Sequence, residues 1–180
     1  KSDFTSLRQE GAYYVDKTEI LYELVHEVKN EVSLFTRPRR FGKTLMMSMI
    51  DSFFNVRKDS RAIFEGLDIM KHSDFCKEWM NSRPVLFISL KDVDGYDFDG
   101  AYDMLRNCIA DFCKKIPDIA GNALTNENDR KVFAHLMSNT ASDAEVKGSL
   151  KTLMRMMSAV YGKKVILLID EYDVPLAKAS

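Results

Sequence analysis

Apolar residues recur at three- and four-residue intervals along several stretches of the chain and run together in others, a contrast that predicts amphipathic helices alternating with buried strands. DFTSLRQEG, stopped at Gly11, reads as a short helix. In YYVDKTEILYELVHEVKN the apolar positions Ile20, Leu21, Leu24, Val25 and Val28 share one helical face, and Asp16 is placed to cap it. Val32 to Thr36 is short, β-rich and followed by Pro38, which biases Arg37 toward an extended backbone, so this stretch is a predicted strand. After Lys43 comes TLMMSMIDSFF, whose apolar residues cover most of the circumference, as expected of a central helix packed on both sides.

NVRKDSRAIFEGLDIMKHSDF is charged and turn-rich, and leads through WMNSRP into Val85 to Leu90, an apolar run interrupted only by Ser89 and suited to a strand covered on both faces. From Asp99 to Ile116 the positions Ala101, Tyr102, Leu105, Cys108, Ile109, Phe112 and Cys113 trace an amphipathic helix ended by Pro117. IAGNALTNENDR reads as loop. Helices are then expected over 129–138 and 143–160, the second opened by the capping-box pattern Ser142-x-x-Glu145 and stopped at Gly162. KVILLI, residues 164–169, is the strongest strand signal and delivers Asp170-Glu171 at its C-terminal end. Strands separated by long helical segments need crossover connections, so the pattern predicts an α/β fold: one domain over 1–180, with a mainly parallel sheet covered by helices.

Composition narrows the class without changing that picture. A chain of 180 residues, 46% hydrophobic and 29% charged, can bury a core and is not a disordered segment. The formal net charge of −1 excludes recruitment of nucleic acid or anionic membrane by a global positive field. Cys76, Cys108 and Cys113 form no C-x-x-C pair and read as reduced thiols, with Cys108 and Cys113 as small hydrophobes on an amphipathic helix. No apolar run approaches the roughly 20 residues of a membrane span, and KSDFTSLRQE lacks a signal-peptide core, so a cytoplasmic protein without a membrane contact is expected. Trp79, His26, His72 and His135 read as structural or exposed, and the methionines of TLMMSMI and MRMM as core filler.

The candidate chemistry lies at FTRPRRFGKT, residues 35–44. A phosphate-binding loop aims backbone N–H groups and a helix N-terminus at an anion. Its lysine reaches the outer phosphates and its hydroxyl residue binds magnesium. Gly42, Lys43 and Thr44 are in register for those roles after a predicted strand and before a predicted helix. Arg37 stands where G-x-x-x-x-G-K-[ST] has its first glycine, and Pro38 removes one N–H donor, so the N–H groups from Arg40 to Thr44 would do most of the cradling. Arg39 and Arg40 either add charge at the phosphates or face water. G-K-[ST] alone is a weak signal; Asp170-Glu171 after KVILLI is the second one, an aspartate to hold magnesium and a glutamate to activate the attacking water.

YYVDKT, FTRPRRFGKT and KVILLIDEYDVPL together resemble the bacterial AAA-ATPase-like family, P-loop proteins whose longer members carry a PD-(D/E)xK nuclease-like domain after the ATPase region. The resemblance runs from about Phe4 to Leu176. It implies that the Arg-Pro-Arg-Arg-Phe opening is a family variant of the loop, and that Arg39, Arg40, Phe41, Gly42, Lys43, Thr44 and Asp170 bind nucleotide. Thr44 and Asp170 are the implied magnesium ligands and Glu171 the implied catalytic base. ATP and Mg2+ are the implied cofactors, and ATP is favoured over GTP because no N-K-x-D tetrapeptide follows the loop. The implied sheet has a later strand between the loop strand and the Asp-bearing strand, so the P-loop NTPase fold is expected to be incomplete at the C-terminus and the chain to be the N-terminal part of a longer protein. Nucleic-acid contact through that remainder, and a homo-oligomer, are compatible with it.

Two other readings compete. Pro117-Asp118 with Glu145-Val146-Lys147 superficially spells a nuclease signature, but Glu145 belongs to a helix-capping pattern where that chemistry needs a strand. A binding module without turnover would instead use Arg37, Arg39, Arg40, Lys163 and Lys164 on nucleic acid, with salt-sensitive affinity.

Overall fold

The computed structural model describes residues 3–27, 43–90 and 98–170, and they gather into two compact units. The first comprises Lys1–Val85 and Val165–Leu168, the second Leu86–Lys164 and Ile169–Ser180.

In the first unit α1 (Phe4–Gln9) is capped by Asp3, whose carboxylate accepts the Ser6 N–H at 2.8 Å. Gly11, at φ +65°, then turns the chain out of the helix in a conformation that suits glycine. The next helix, α2, covers Glu19–Glu27. Asp16 does not cap it, contrary to the expectation: its Oδ1 closes a turn by accepting the Thr18 N–H at 2.9 Å, and its Oδ2 accepts the Asp68 N–H at 2.8 Å. With one oxygen committed to a residue far along the chain, Asp16 ties α2's entrance to the following elements.

α3 (Lys43–Phe54) is buried around most of its circumference, as its pattern required. Met47, Met49, Ile50, Phe53 and Phe54 are buried beside Ser48, Asp51 and Ser52. The polar residues are partnered: Ser48 Oγ accepts the Phe4 N–H at 3.0 Å and donates to Asp3 at 3.1 Å, and Asp51 holds Asn55 at 2.9 Å and Lys58 at 2.7 Å. These bonds offset the cost of burial.

The charged stretch after α3 is more ordered than its composition suggests. It folds into α4 (Arg61–Phe64), a 3-10 turn (Asp68–Lys71) and α5 (Ser73–Trp79). Long-range bonds hold these short pieces: Arg8 Nε donates to the Ile63 carbonyl at 2.8 Å, and Thr18 Oγ1 accepts the Ile69 N–H at 3.1 Å. Their apolar residues join one aromatic cluster, in which Phe53 meets Phe64 at 5.3 Å and Phe75 at 5.8 Å, and Phe4 meets Phe64 at 5.0 Å. Phe53 is fully buried at its centre. Phe53→Ala should therefore lower stability by about 3–5 kcal/mol, measured by chemical denaturation; a loss near that of a surface change would mean the cluster is not the core of this unit.

The second unit is helical around the strand ends. α6 (Phe98–Lys115) packs on α7 (Glu127–Met137), with α8 (Asp143–Lys147) and α9 (Ser149–Tyr161) following. Ser142 and Glu145 form the expected capping box, but the helix expected over 143–160 is two helices broken at Gly148, which leaves the helical region at ψ 3°. Gly162, left-handed at φ 68°, ends α9. Ile109, Cys113, Phe133, Leu153 and Met156 fill the core. Cys113 is fully buried and burial pushes its thiol up to about 12, so it is an unreactive apolar residue; Cys108 is half-buried.

Asp129 anchors α7 to α9. Its carboxylate takes both Arg155 Nε at 2.7 Å and Arg155 Nη2 at 2.8 Å, while Asn126 caps α7 on the Asp129 N–H at 2.7 Å. The Arg155 hydrogen bonds outweigh the opposing effect of burial, and with the Arg155 charge and Asn126 they hold the Asp129 carboxyl below its ordinary value of 3.8. The stability this contributes is present above that ordinary value and lost as pH falls through the lowered folded one. Asp129→Asn should cost about 1.5–3 kcal/mol at neutral pH. The gap between variant and parent should narrow below pH ~4, read from denaturation midpoints across pH; a constant gap would show that charge plays no part.

Two strands complete the described residues, β1 (Val85–Ser89) and β2 (Ile166–Asp170), neighbours in a two-stranded sheet. The Ile166 N–H donates to the Pro84 carbonyl at 2.9 Å and, further along both strands, the Leu90 N–H donates to the Asp170 carbonyl at 2.9 Å. Both strands advance together, so the pair is parallel, as the crossover argument required. The expected strand over Val32–Thr36 lies outside the described residues. The described part is thus a mixed helix–strand protein with nine α-helices and this small parallel sheet.

Candidate functional site

β2 carries the acidic end of the candidate site. Its Leu167 and Leu168 are buried, as is Val165 just before it, and Asp170, the last residue of the strand, is fully buried. The strand starts where it does because Gly162 releases the chain from α9 and exposed Lys163 and Lys164 stay in solvent while the apolar residues pair with β1. The Asp170 carbonyl is fixed by the Leu90 N–H, so this residue is held at a defined position at the C-terminal end of a parallel strand. Ligands of open α/β sheets bind outside that end.

The adjoining position of β1 is Ser89, whose hydroxyl oxygen is buried and has no hydrogen-bond partner among the described residues. Sequence reasoning assigned it no role. The available signal was its position as the one polar interruption of an apolar strand.

The phosphate-loop residues are described only from the helix onward. Lys43 is the first residue of α3 and Thr44 the second, half-buried. The later turns of α3 are core. Arg37, Arg39, Arg40, Phe41, Gly42 and Glu171 lie outside the described residues. Thr44 belongs to the first unit and Asp170 to the second.

Of the side chains set aside in the sequence, that of His26 lies outside the described ones, and those of His72, His135 and Trp79 are engaged structurally. His72 stacks on Tyr22 with ring centroids 4.0 Å apart and lies 2.6 Å from the Glu19 carboxylate. His135 contacts Glu145 at 2.9 Å, and the Arg83 guanidinium covers Trp79 at 4.1 Å. Glu145 is committed to Ser142 and His135, and Asp118 accepts the Tyr161 hydroxyl at 2.7 Å, so the residues of the superficial nuclease signature serve local contacts. Among the described residues no three His, Cys, Asp or Glu side chains assemble as a metal-ligand group, and no helix is long and apolar enough to cross a membrane.

The described residues are those of a mixed helix–strand chain with a small parallel sheet. The family model described as "Predicted AAA-ATPase" matches residues 1–180, and the chain belongs to that family. It is also 29% identical, over 174 residues, to "Uncharacterized protein in vnfD 5'region" from Azotobacter chroococcum mcd 1. That match covers 96% of this chain and 28% of the relative, so the chain spans little more than a quarter of the relative's length. No solved structure matches it. Membership makes nucleotide binding the expected activity.

Proposed function

We propose that this chain is a magnesium-dependent ATP-binding and ATP-hydrolysing domain. The observation that carries the reading is the buried Asp170 at the C-terminal end of the parallel strand β2, in a chain that matches the family along its whole length. The proposed ligands fit the cation: the Thr44 hydroxyl and Asp170 carboxylate are hard oxygen donors, the kind magnesium takes. When bound, magnesium neutralises charge on the outer phosphates of the nucleotide. Lys43 adds a second positive charge to those phosphates, with Gly42, Phe41, Arg40 and Arg39 forming the rest of the cradle. Glu171 orients the attacking water and accepts its proton.

Titration of the purified chain with magnesium-ATP by calorimetry, with phosphate release followed in parallel, tests this. Binding with turnover supports the proposal whole, and binding without turnover removes hydrolysis from it. No binding at saturating nucleotide overturns it.

A further inference from the structure

Beside the start of α3 lies a cavity of about 200 Å³. Its floor is Leu45, Met46 and Met49, on the first turns of the helix that Lys43 and Thr44 open. Its wall is the segment after Gly11, with Tyr13, Tyr14 and Val15, and Leu7 of α1 also lines it. The volume is below the roughly 300–1,000 Å³ that encloses a whole drug-sized ligand, so the cavity suits one ring system of a larger molecule.

Tyr13 is 89% exposed and Val15 57% exposed, two large apolar side chains in solvent at the mouth of an apolar cavity. Between them Tyr14 is half-buried and held by its own contacts. Its ring meets Phe4 edge-on at 5.4 Å, and its hydroxyl accepts the Lys17 N–H and donates to Met49 Sδ, each at 3.3 Å. The cavity therefore has a rigid back and an aromatic lip free to stack.

We propose that this cavity receives the purine base of the nucleotide, with Tyr13 and Val15 covering the ring and Leu45 and Met46 supporting it. The assignment rests on the phosphate-loop reading. If Lys43 and Thr44 hold phosphates, an apolar, ring-sized space lies on the two residues that follow them in α3. Lys17, at the same cavity, places a positive charge at its edge, where an anionic ligand is favoured.

The test uses the 180-residue chain, its Tyr13→Ala and Val15→Asp variants, and three probes with magnesium: ATP, GTP and inorganic tripolyphosphate, which lacks a base. Both positions are exposed, so the fold should tolerate the changes, and thermal unfolding without ligand checks this. Each variant should weaken binding of the base-bearing nucleotide by roughly 5- to 100-fold, the range of one lost stacking partner, with tripolyphosphate affinity unchanged. The ATP and GTP arms identify which purine the cavity accepts. Unaltered ATP and GTP affinity in both variants, or an equal loss for tripolyphosphate, overturns the assignment. Failure of the parent chain to bind any of the three probes overturns the phosphate-loop reading itself.

Discussion

Lys43→Ala should leave the protein folded and remove its nucleotide affinity, a loss of at least about 100-fold. Lys43 is the first residue of α3, a position where alanine is at least as good a helix former, so the exchange should not unmake the helix. The ammonium contributes charge-assisted hydrogen bonds to phosphate, each worth about 1.5–3 kcal/mol, and a neutral side chain supplies none. Ligand-induced stabilisation gives a second readout: at 100 Kd of nucleotide the parent should gain about 2.7 kcal/mol, and the variant at the same concentration almost nothing. Arg39 and Arg40 make the result informative whichever way it falls. If the alanine variant keeps its affinity and loses it only when those arginines are also replaced, the cradle is built from guanidinium groups and Lys43 is not its centre. Lys43→Arg should not rescue binding fully, because a planar fork does not replace a compact point charge.

The elements legible in the sequence are those whose signal is local and repeated. TLMMSMIDSFF had to be an inner helix because no face of it could be left in water, and α3 is that helix, down to the buried Ser48 and Asp51 that are satisfied by α1 and Lys58. The capping box at Ser142 and the stop at Gly162 follow from single residues with one dominant role. By contrast α4, the 3-10 turn and α5 are four to seven residues long, too short for a helical period to show. Contacts from Arg8, Asp16 and Thr18, each more than fifty positions away in sequence, specify them. Asp16 was misread for the same reason: a short acid before an apolar helix looks like a cap, and only the tertiary partner Asp68 shows that it is a tie between two segments. At Gly148 a periodic apolar pattern runs through a break, because α8 and α9 both bury apolar residues in the same core.

The candidate site was legible to a different extent. Asp170 could be placed at the end of a strand from KVILLI alone, and it lies there, buried. Lys43 and Thr44 are the first described residues of α3, and the loop before them lies outside the described residues. Nothing local marks the cavity behind Tyr13 to Val15, because it exists only where the segment after Gly11 passes the first turns of α3. Exposed aromatic and β-branched residues in YYVDKT resemble any amphipathic approach to a helix until their burial is known.

Glu171→Gln should bind magnesium-ATP like the parent and hydrolyse it about 10²- to 10⁴-fold more slowly, the usual contribution of a positioned general base. Glutamine keeps the length and one hydrogen-bonding oxygen of glutamate but cannot take a proton from water, so the exchange separates chemistry from binding. Asp170→Asn is the contrasting variant. If Asp170 holds magnesium, its neutral amide should weaken magnesium-dependent binding and turnover together, because a hard dication is held by charged oxygen. Adjacent carboxylates with these divided roles therefore predict two different kinetic signatures from neighbouring positions: kcat alone for Glu171, binding as well for Asp170. Turnover by Glu171→Gln at the parent rate would make the acidic pair structural. The chain would then hold nucleotide without using Glu171 to activate water, and any hydrolytic base would have to come from elsewhere.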